Sequence, residues 1–335
     1  MAYKRIAFFL AGLVLVLVVL SYFGLAEIAA TLVTTRIDVL LLLIILELAA
    51  LGMLVLRLKI LAYGKGYLPF SRATRVTFSG MFVSMITPMA KIGGEPLKIY
   101  MLRNNLGNSN ASAVVAIDSF IEVVSSVLVV LAVSLIFFSQ LPSAVLSYFF
   151  VFLVVSALLI GVLMKILLTP KWLRRIINWF LDRIAHMQDA KRKDYANMFY
   201  KSFNSILNDR GVIFGAFAVA IFTKMIEIIK LWLVFFALSS YLPFREAVVV
   251  WTIVLVLLFV PWLPGSLGLV EFGAASAFVA FGIAPNIAGS AVVIDRFVSL
   301  WLPLFVGLAA LTIAKRRGEL PDLRTIKGKT GRTWR

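Results

Sequence analysis

Pro88-Met-Ala-Lys-Ile-Gly-Gly-Glu95 places a glutamate seven residues after a proline with glycines between, and Pro264-Gly-Ser-Leu-Gly-Leu-Val-Glu271 repeats that spacing. Each stretch is followed by an aspartate inside an apolar run, Asp118 after 23 residues and Asp295 after 24. The repeated spacing indicates that the chain is an internal duplication.

Both stretches contain residues that interrupt a helix. They are Pro88, Gly93 and Gly94 in the first stretch and Pro264, Gly265 and Gly268 in the second. At membrane depth an interrupted helix persists only where protein or a water-filled cavity satisfies the freed backbone groups. Paired interruptions in corresponding halves of a membrane protein are typical of a transport site.

The composition predicts a polytopic membrane protein. Hydrophobic residues make up 62% of the chain, charged residues 15%, and the mean hydropathy is +1.01. Cysteine is absent and His186 is the single histidine, so we expect no disulfide, no metal site and no cofactor. The net charge of +17 sits largely where helices leave the membrane. That placement favours anionic lipid headgroups as partners over nucleic acid.

Six apolar runs are long enough to cross a bilayer as helices, which takes about 20 residues. They are 6–25, 39–62, 111–138, 143–168, 211–239 and 286–314. Two further regions, 73–103 and 246–283, are each divided by the repeated motif into pieces too short to span. We therefore predict an all-α fold with six full spans and two re-entrant helical hairpins.

Basic residues orient these spans by the positive-inside rule. Lys4 and Arg5 place the N-terminus in the cytoplasm, and Arg57, Arg72 and Arg75 mark the return there after the second span. When the same rule is applied to the later spans, the first hairpin is predicted to enter the membrane from the cytoplasm and the second from outside. The two halves are thus predicted to have inverted topology, in the cell membrane, with both termini cytoplasmic.

The predicted division follows from this count. Residues 1–142 form the first repeat, and residues 143–314 form the second. Within the second repeat, 171–207 carries apolar residues at helical spacing and is expected to lie as an amphipathic linker helix on the inner leaflet. Residues 315–335 form a basic cytoplasmic tail.

Ionisable side chains within the apolar runs are the candidate site residues, because each needs a partner or a cavity inside a bilayer. They are Glu47, Glu95, Asp118, Glu122, Lys224, Glu227, Lys230, Glu271, Asp295 and Arg296. Ion pairing that holds the helices together is the structural alternative. For Glu95 and Glu271 a functional role is favoured, since both follow a helix break; for Glu47 both interpretations stay open.

A phosphate group is the predicted ligand. Lys224, Glu227 and Lys230 share one helix face, which suggests a surplus of positive charge within the membrane. Lys98 follows the first helix break, where backbone N–H groups of a restarting helix also favour an anion. The alternative is that Lys98 extends to the cytoplasmic interface.

No sequence signature of an enzyme is present. The chain has no phosphate-binding P-loop, no intramembrane metalloprotease motif and no histidine placed to activate Ser266 within Pro264-Gly-Ser-Leu-Gly268. We therefore predict that the protein is not an enzyme and that Ser266 caps or packs a helix.

Four segments resemble the transmembrane-domain family of lysylphosphatidylglycerol synthases, also called the flippase-like family. They are Gly80-Met-Phe-Val-Ser-Met-Ile-Thr-Pro88, Gly93-Gly-Glu-Pro-Leu-Lys-Ile-Tyr100, Pro261-Trp-Leu-Pro-Gly-Ser-Leu-Gly-Leu-Val-Glu271 and Ile294-Asp-Arg296. The resemblance covers roughly 5–315. It implies a membrane-embedded lipid translocase, which in the multiple peptide resistance factor is fused to a cytosolic aminoacyltransferase. Lipid aminoacylation is not implied here, because no such domain follows residue 315.

One position departs from the family pattern. The family tends to carry Asp-Arg at the first aspartate, whereas this chain has Asp118-Ser119 and offers Glu122 one turn later. The two halves are therefore not expected to be identical in charge.

The sequence favours a translocase that moves an anionic phospholipid or a polyprenyl-phosphate-linked sugar between leaflets. An ion-coupled small-solute transporter shares the architecture and stays open, to be distinguished by a closed cavity instead of a lateral cleft. An intramembrane lipid-phosphate phosphatase is the third class, although the expected Ser-Arg-Ser-type phosphate loop is missing after Pro264-Gly265. The oligomeric state is left open.

Overall fold

The structure is a computed structural model that describes residues 21–87, 93–137, 189–258 and 266–320, with isolated positions before and between these ranges. Several predicted features lie outside the described residues. These are Pro88, Pro264, Gly265, His186, most of the run 6–25, nearly all of the span 143–168, the linker up to residue 188 and the tail beyond residue 320.

The described residues are helical throughout, without a strand. In chain order the helices are α1 (Leu25–Val33), α2 (Ile37–Leu61), α3 (Phe70–Ile86), α4 (Glu95–Leu106), α5 (Asn108–Phe137), α6 (Asp189–Leu207), α7 (Arg210–Ala237), α8 (Phe244–Leu258), α9 (Leu269–Ala280), α10 (Pro285–Arg296) and α11 (Leu302–Arg316). A single π-helical turn, Phe297–Trp301, joins α10 to α11.

Four of the helical segments are long and apolar enough to cross a membrane: α2, Asn108–Val133 within α5, α7, and α10 with α11 as one continuous unit. The 25 residues of α2 rise about 38 Å, which exceeds a hydrocarbon core of about 30 Å. The four segments coincide with the predicted spans 39–62, 111–138, 211–239 and 286–314. The prediction of an all-α, multi-pass membrane protein is confirmed.

Each predicted hairpin region is divided into two helices that pack against each other, α3 with α4 and α8 with α9. The 17 residues of α3 rise only about 26 Å, and the 12 residues of α4 only about 18 Å. Glycine permits both turns. A Cβ at Gly94 would collide with the backbone carbonyl of Gly80, and Gly268 has a φ of 83° at the start of α9. Whether the tips turn within the bilayer stays a prediction.

The second spans of the two halves, α2 and α7, run antiparallel. The Arg36 N–H, just before α2, donates to the Ala237 carbonyl at the end of α7, with an N···O distance of 2.9 Å. At the other end of the pair, a Cβ on Gly215 would lie 3.7 Å from Cγ2 of Ile60. Since these helices hold equivalent places in the duplication, their opposite directions are those of an inverted repeat.

The neighbours of each element recur in both halves. In each half the second arm of the hairpin packs on the span that follows it, α4 on α5 and α9 on α10. The helix before the second span of each half packs on the last span of the other half, α1 on α10 and α6 on α5. Each half also contributes most of one apolar core: Val76 and Ile117 belong to the first core, and Val250 and Phe278 to the second. This repetition supports the predicted duplication.

Helix α6 is the described part of the predicted linker. Its apolar residues Phe199, Phe203 and Ile206 are buried, and Tyr195 shares a hydrogen bond with Ser112 of α5 at 2.6 Å. The apolar face of this part of the linker therefore packs on protein, and its association with a lipid leaflet stays a prediction.

The end of α11 docks against the start of α3. Glu319 accepts hydrogen bonds from Arg75 at 2.7 and 2.9 Å and forms an ion pair with Arg72 at 2.5 Å. The side chains of Arg72 and Arg75 are only 13% and 11% exposed. These two arginines, used above as markers of the cytoplasmic surface, thus also tie the last span to the first hairpin.

Candidate functional site

All eleven candidate site residues with ionisable side chains fall into two buried charge clusters. The first cluster consists of Arg57, Glu95, Lys98, Asp118, Glu122, Lys224 and Glu227. The second cluster consists of Glu47, Lys230, Glu271, Asp295 and Arg296. Each cluster draws residues from both α2 and α7, and each contains a hairpin glutamate and the aspartate of the following span.

Arg57 organises the first cluster. Its Nε donates to Oδ1 of Asp118 at 2.7 Å, and its Nη1 donates to Oε2 of Glu122 at 2.5 Å. The Arg57 side chain is 5% exposed. Arg57 is therefore not a solvated charge but a buried guanidinium, and its two carboxylate partners make that burial possible. Its use as a marker of the cytoplasmic side stays a prediction.

Lys98 is held inside the first hairpin. Its Nζ lies 3.2 Å from Oε1 of Glu95 and 3.6 Å from Oδ2 of Asp118. The stem passes over Gly80, where a Cβ would come within 2.5 Å of Cγ of Lys98. Lys98 therefore does not present a free ammonium, because two carboxylates compensate its charge.

The two lysines of α7 also have carboxylate partners. Lys224 Nζ donates to Oε1 of Glu122 at 2.6 Å and lies 3.3 Å from Oε1 of Glu227. Lys230 Nζ donates to Oε2 of Glu47 and, at 3.3 Å, to the hydroxyl of Ser299. The predicted surplus of positive charge on this face is therefore wrong, because helices α2 and α5 supply the missing negative charges.

The pair of Glu271 and Arg296 is the loosest contact in the second cluster. Oε2 of Glu271 accepts from the backbone N–H of Gly268 at 2.5 Å, whereas Oε1 lies 3.9 Å from Nε of Arg296. That distance permits electrostatic attraction but exceeds a hydrogen bond. Neither Oε1 nor Nε has a hydrogen-bond partner among the described residues, although both are buried.

A cavity of about 190 Å³ opens between the clusters and the hairpin tips. Its charged lining consists of Glu47, Lys224, Glu227, Lys230, Asp295 and Arg296, with hydroxyls from Ser84, Thr87, Ser266 and Ser299. Leu51, Trp251 and Leu255 are among its apolar wall residues. Because Thr87 ends the first arm of one hairpin and Ser266 precedes the second arm of the other, both helix breaks reach the same cavity.

Five predicted residues stand behind the cavity wall: Glu95, Lys98, Asp118, Glu122 and Glu271. Each forms an ion pair either with a residue that lines the cavity or with another member of the first cluster; Glu122, for example, pairs with the lining residue Lys224. Gly93 and Gly94 open α4, where the Gly94 N–H donates to the Ser84 hydroxyl at 3.0 Å. The glycines thus shape the hairpin tip, and the tip hydroxyls face the cavity.

Several lining residues were not predicted from the sequence, among them Ser84, Thr87, Trp251 and Ser299. For Ser299 a signal exists, since it stands one helical turn after Asp295. Pro303 is a second signal in the sequence, because it lacks the N–H that would otherwise donate to the Ser299 carbonyl. The structure has a π-helical turn at this place, Phe297–Trp301. Within the described residues, no group of three or more His, Cys, Asp or Glu is arranged to hold a metal ion.

The sequence profile of the family described as "lysylphosphatidylglycerol synthase TM region" matches residues 6–307. The chain belongs to this family. It is 26% identical over 310 residues to a UPF0104 membrane protein of Methanocaldococcus jannaschii, covering 90% of this chain and 92% of the relative. It is 21% identical over 325 residues to one of Pyrococcus horikoshii, covering 91% and 95%. No solved structure matches the chain significantly.

Proposed function

We propose that this protein is a lipid translocase, not an enzyme, that moves a lipid with a phosphate-bearing headgroup between leaflets of the cell membrane. The substrate is an anionic phospholipid or a polyprenyl-phosphate-linked sugar, and both termini of the chain lie in the cytoplasm. The observation that carries this proposal is the mixed lining of the cavity: its charged residues come from α2, α7 and α10, whereas α8 contributes apolar residues alone. The family's name, which refers to a lipid synthase, agrees with a lipid substrate.

The volume supports entry of a headgroup alone. A cavity of about 190 Å³ is somewhat larger than one of about 150 Å³ that binds a benzene molecule. That space takes a small polar headgroup beside the apolar wall residues Trp251, Leu255 and Leu258, and it is too small for acyl or prenyl chains, which would stay outside. A lipid could thus exchange leaflets while its tails stay in hydrocarbon.

The charged lining supports a phosphate with a compensating partner. Lys224, Lys230 and Arg296 face Glu47, Glu227 and Asp295, so three cations stand against three carboxylates. A phosphate can bind there by displacing a carboxylate from one of the cations. Of the three cations, Arg296 has an unused buried donor, which makes it the first candidate for a phosphate contact.

Translocation can be tested in phosphatidylcholine vesicles that contain the purified protein and a trace of fluorescent phosphatidylglycerol. Dithionite bleaches only the outer leaflet, so we expect bleaching well beyond half of the signal with the protein. The neutral double variant Glu47→Leu/Lys230→Met removes one charge pair from the cavity and is expected to abolish the excess. Glu246→Gln, in the first turn of α8, is the matched control.

Bleaching at the rate of protein-free vesicles would refute the proposed function, whereas full activity in the double variant would refute the role of this charge pair in it. Uptake of a small phosphorylated solute without any lipid movement would instead favour the small-solute transporter, since the cavity volume also accommodates such a solute.

A further inference from the structure

We propose that Glu271 and Arg296 couple headgroup binding to the uptake of one proton, so that translocation is driven or biased by a proton gradient. This inference rests on the proposed function. Its physical content is an exchange: the headgroup phosphate takes over Arg296, and Glu271, left without its countercharge, binds a proton on the free carboxylate oxygen.

The geometry of Glu271 makes its charge depend on Arg296. The side chain is only 2% exposed, so water does little to stabilise a carboxylate there. One oxygen is already used by the Gly268 N–H that opens α9. The other oxygen has Nε of Arg296, 3.9 Å away, as its nearest compensating charge and no hydrogen bond among the described residues.

The geometry of Arg296 leaves it available to a ligand. Its guanidinium lines the cavity, and its only hydrogen bond among the described residues goes from Nη2 to Oδ2 of the adjacent Asp295, at 3.2 Å. The planar fork of an arginine can present two N–H groups to one phosphate. Lys224 and Lys230, by contrast, each donate directly to a carboxylate of another helix.

The surroundings of Glu271 supply no replacement cation among the described residues. Helix α9 packs on α8 and α10. The ionisable residues of α8, Arg245 and Glu246, lie in its first turn, at the end away from the hairpin tip. From α10 the facing charges are Arg296 and Asp295, and the latter repels a carboxylate. Tyr22 lies beside Phe272 on the outer side of α9 and is 78% exposed.

The remaining charges of the second cluster are committed to each other. Lys230 pairs with Glu47 and donates to Ser299, whose hydroxyl donates to Oδ1 of Asp295 at 3.3 Å. The cluster therefore holds two cations against three carboxylates, and an arriving phosphate adds further negative charge. A proton on Glu271 returns the cluster to the net charge of −1 that it had before the phosphate bound, without moving a helix.

The direction of the pH effect follows from linkage, because two ligands that favour each other do so reciprocally. Protonation of Glu271 releases Arg296, so the affinity for a phosphate headgroup should rise as the pH falls. With one proton per headgroup the dissociation constant changes by at most about tenfold per pH unit. Glu271→Gln mimics the protonated state, so its affinity should be high and independent of pH.

The test measures binding of phosphatidylglycerol to the purified protein in nanodiscs between about pH 6 and pH 8. We expect weakening with rising pH in the wild type and in Glu246→Gln, and a flat profile at the tight level in Glu271→Gln. The Gln side chain keeps an oxygen for the Gly268 N–H. Should that variant not fold, a pH-indicator dye can report proton uptake by the wild type when phosphatidylglycerol is added.

Vesicles then separate this inference from the proposed function. Accumulation of fluorescent phosphatidylglycerol in one leaflet under a pH gradient, lost in Glu271→Gln, is the expected result. Translocation that ignores the pH gradient, with pH-independent binding and no proton uptake, would overturn the coupling and leave the translocase intact. Absence of translocation at every pH would overturn the proposed function itself.

Discussion

Replacing either Glu47 or Lys230 alone should destabilise the protein strongly, and replacing both should restore most of its stability. Glu47 lies on α2 and Lys230 on α7, with side chains 7% and 4% exposed, and they form a direct ion pair. Lys230→Met keeps most of the apolar stem but leaves a buried carboxylate without a countercharge. Breaking a buried pair in this way costs about 3–5 kcal/mol.

The magnitude of the double variant follows from the same physics. Glu47→Leu alone leaves a buried ammonium whose remaining partner is the Ser299 hydroxyl, 3.3 Å away, so a similar loss is expected. Glu47→Leu/Lys230→Met replaces the pair with apolar side chains of similar size, which is often neutral. The double variant should therefore lie within about 1–2 kcal/mol of wild type, with a coupling energy of at least about 3 kcal/mol.

The assay is a double-mutant cycle on the free energy of unfolding in mixed detergent micelles. Single-variant losses that simply add, within about 0.5 kcal/mol, would show that the two residues do not interact and would refute the pairing. The restored stability also makes the double variant usable in the translocation assay, because a loss of transport there cannot be attributed to misfolding.

Two further predictions concern the ends of the helices. Partial burial opposes ionisation of Glu319, but the hydrogen bonds and positive charges of Arg75 and Arg72 together outweigh it and hold the pKa of that carboxyl below its usual value. Wild type should therefore melt at a higher temperature than Glu319→Gln at pH 7, and the gap should close as the pH falls below about 4. An unchanged gap at low pH would contradict this ion pair. Since the chain has no cysteine, each of the single variants Tyr63→Cys, after α2, and Tyr241→Cys, after α7, offers one exposed thiol for labelling. An impermeant maleimide should reach the two positions from opposite sides of the membrane. Labelling of both from one side would contradict the antiparallel arrangement.

The helices of the described residues were largely predictable from the sequence because a bilayer permits few alternatives. A spanning segment must satisfy its backbone internally and must be about 20 residues long, so apolar length alone locates α2 and α7. The Pro/Gly stretches located the breaks between α3 and α4 and between α8 and α9 for the same reason. Boundaries moved by a few residues, as for α5, which begins at Asn108 and not at residue 111.

The partners of the charged residues could not be predicted, because they are fixed by tertiary packing. Arg57 and Asp118 are 61 residues apart, and Lys224 and Glu122 are 102 apart. The charge on one helix face indicates that a partner is needed but not which helix supplies it. For this reason the residues of α7 alone predict free positive charge where the structure has ion pairs.

The duplication has preserved a pattern of charge while changing which residues carry it. After the aspartate of the last span the first half has Ser119 and the second has Arg296. In the first half the guanidinium comes from α2 instead, as Arg57, and two carboxylates hold it at 2.5 and 2.7 Å. In the second half the guanidinium keeps an unused donor beside the cavity.

This difference gives unequal tasks to two clusters that hold equivalent places in the predicted repeat. A buried guanidinium bound by two carboxylates loses much on any exchange of partners, because each released carboxylate is left uncompensated. The first cluster therefore suits an anchor that keeps α2, α5 and the first hairpin together. Arg296 has only a long contact to Glu271, whose charge a proton can cancel when the guanidinium turns to a ligand, so the second half is where a headgroup can exchange with a carboxylate.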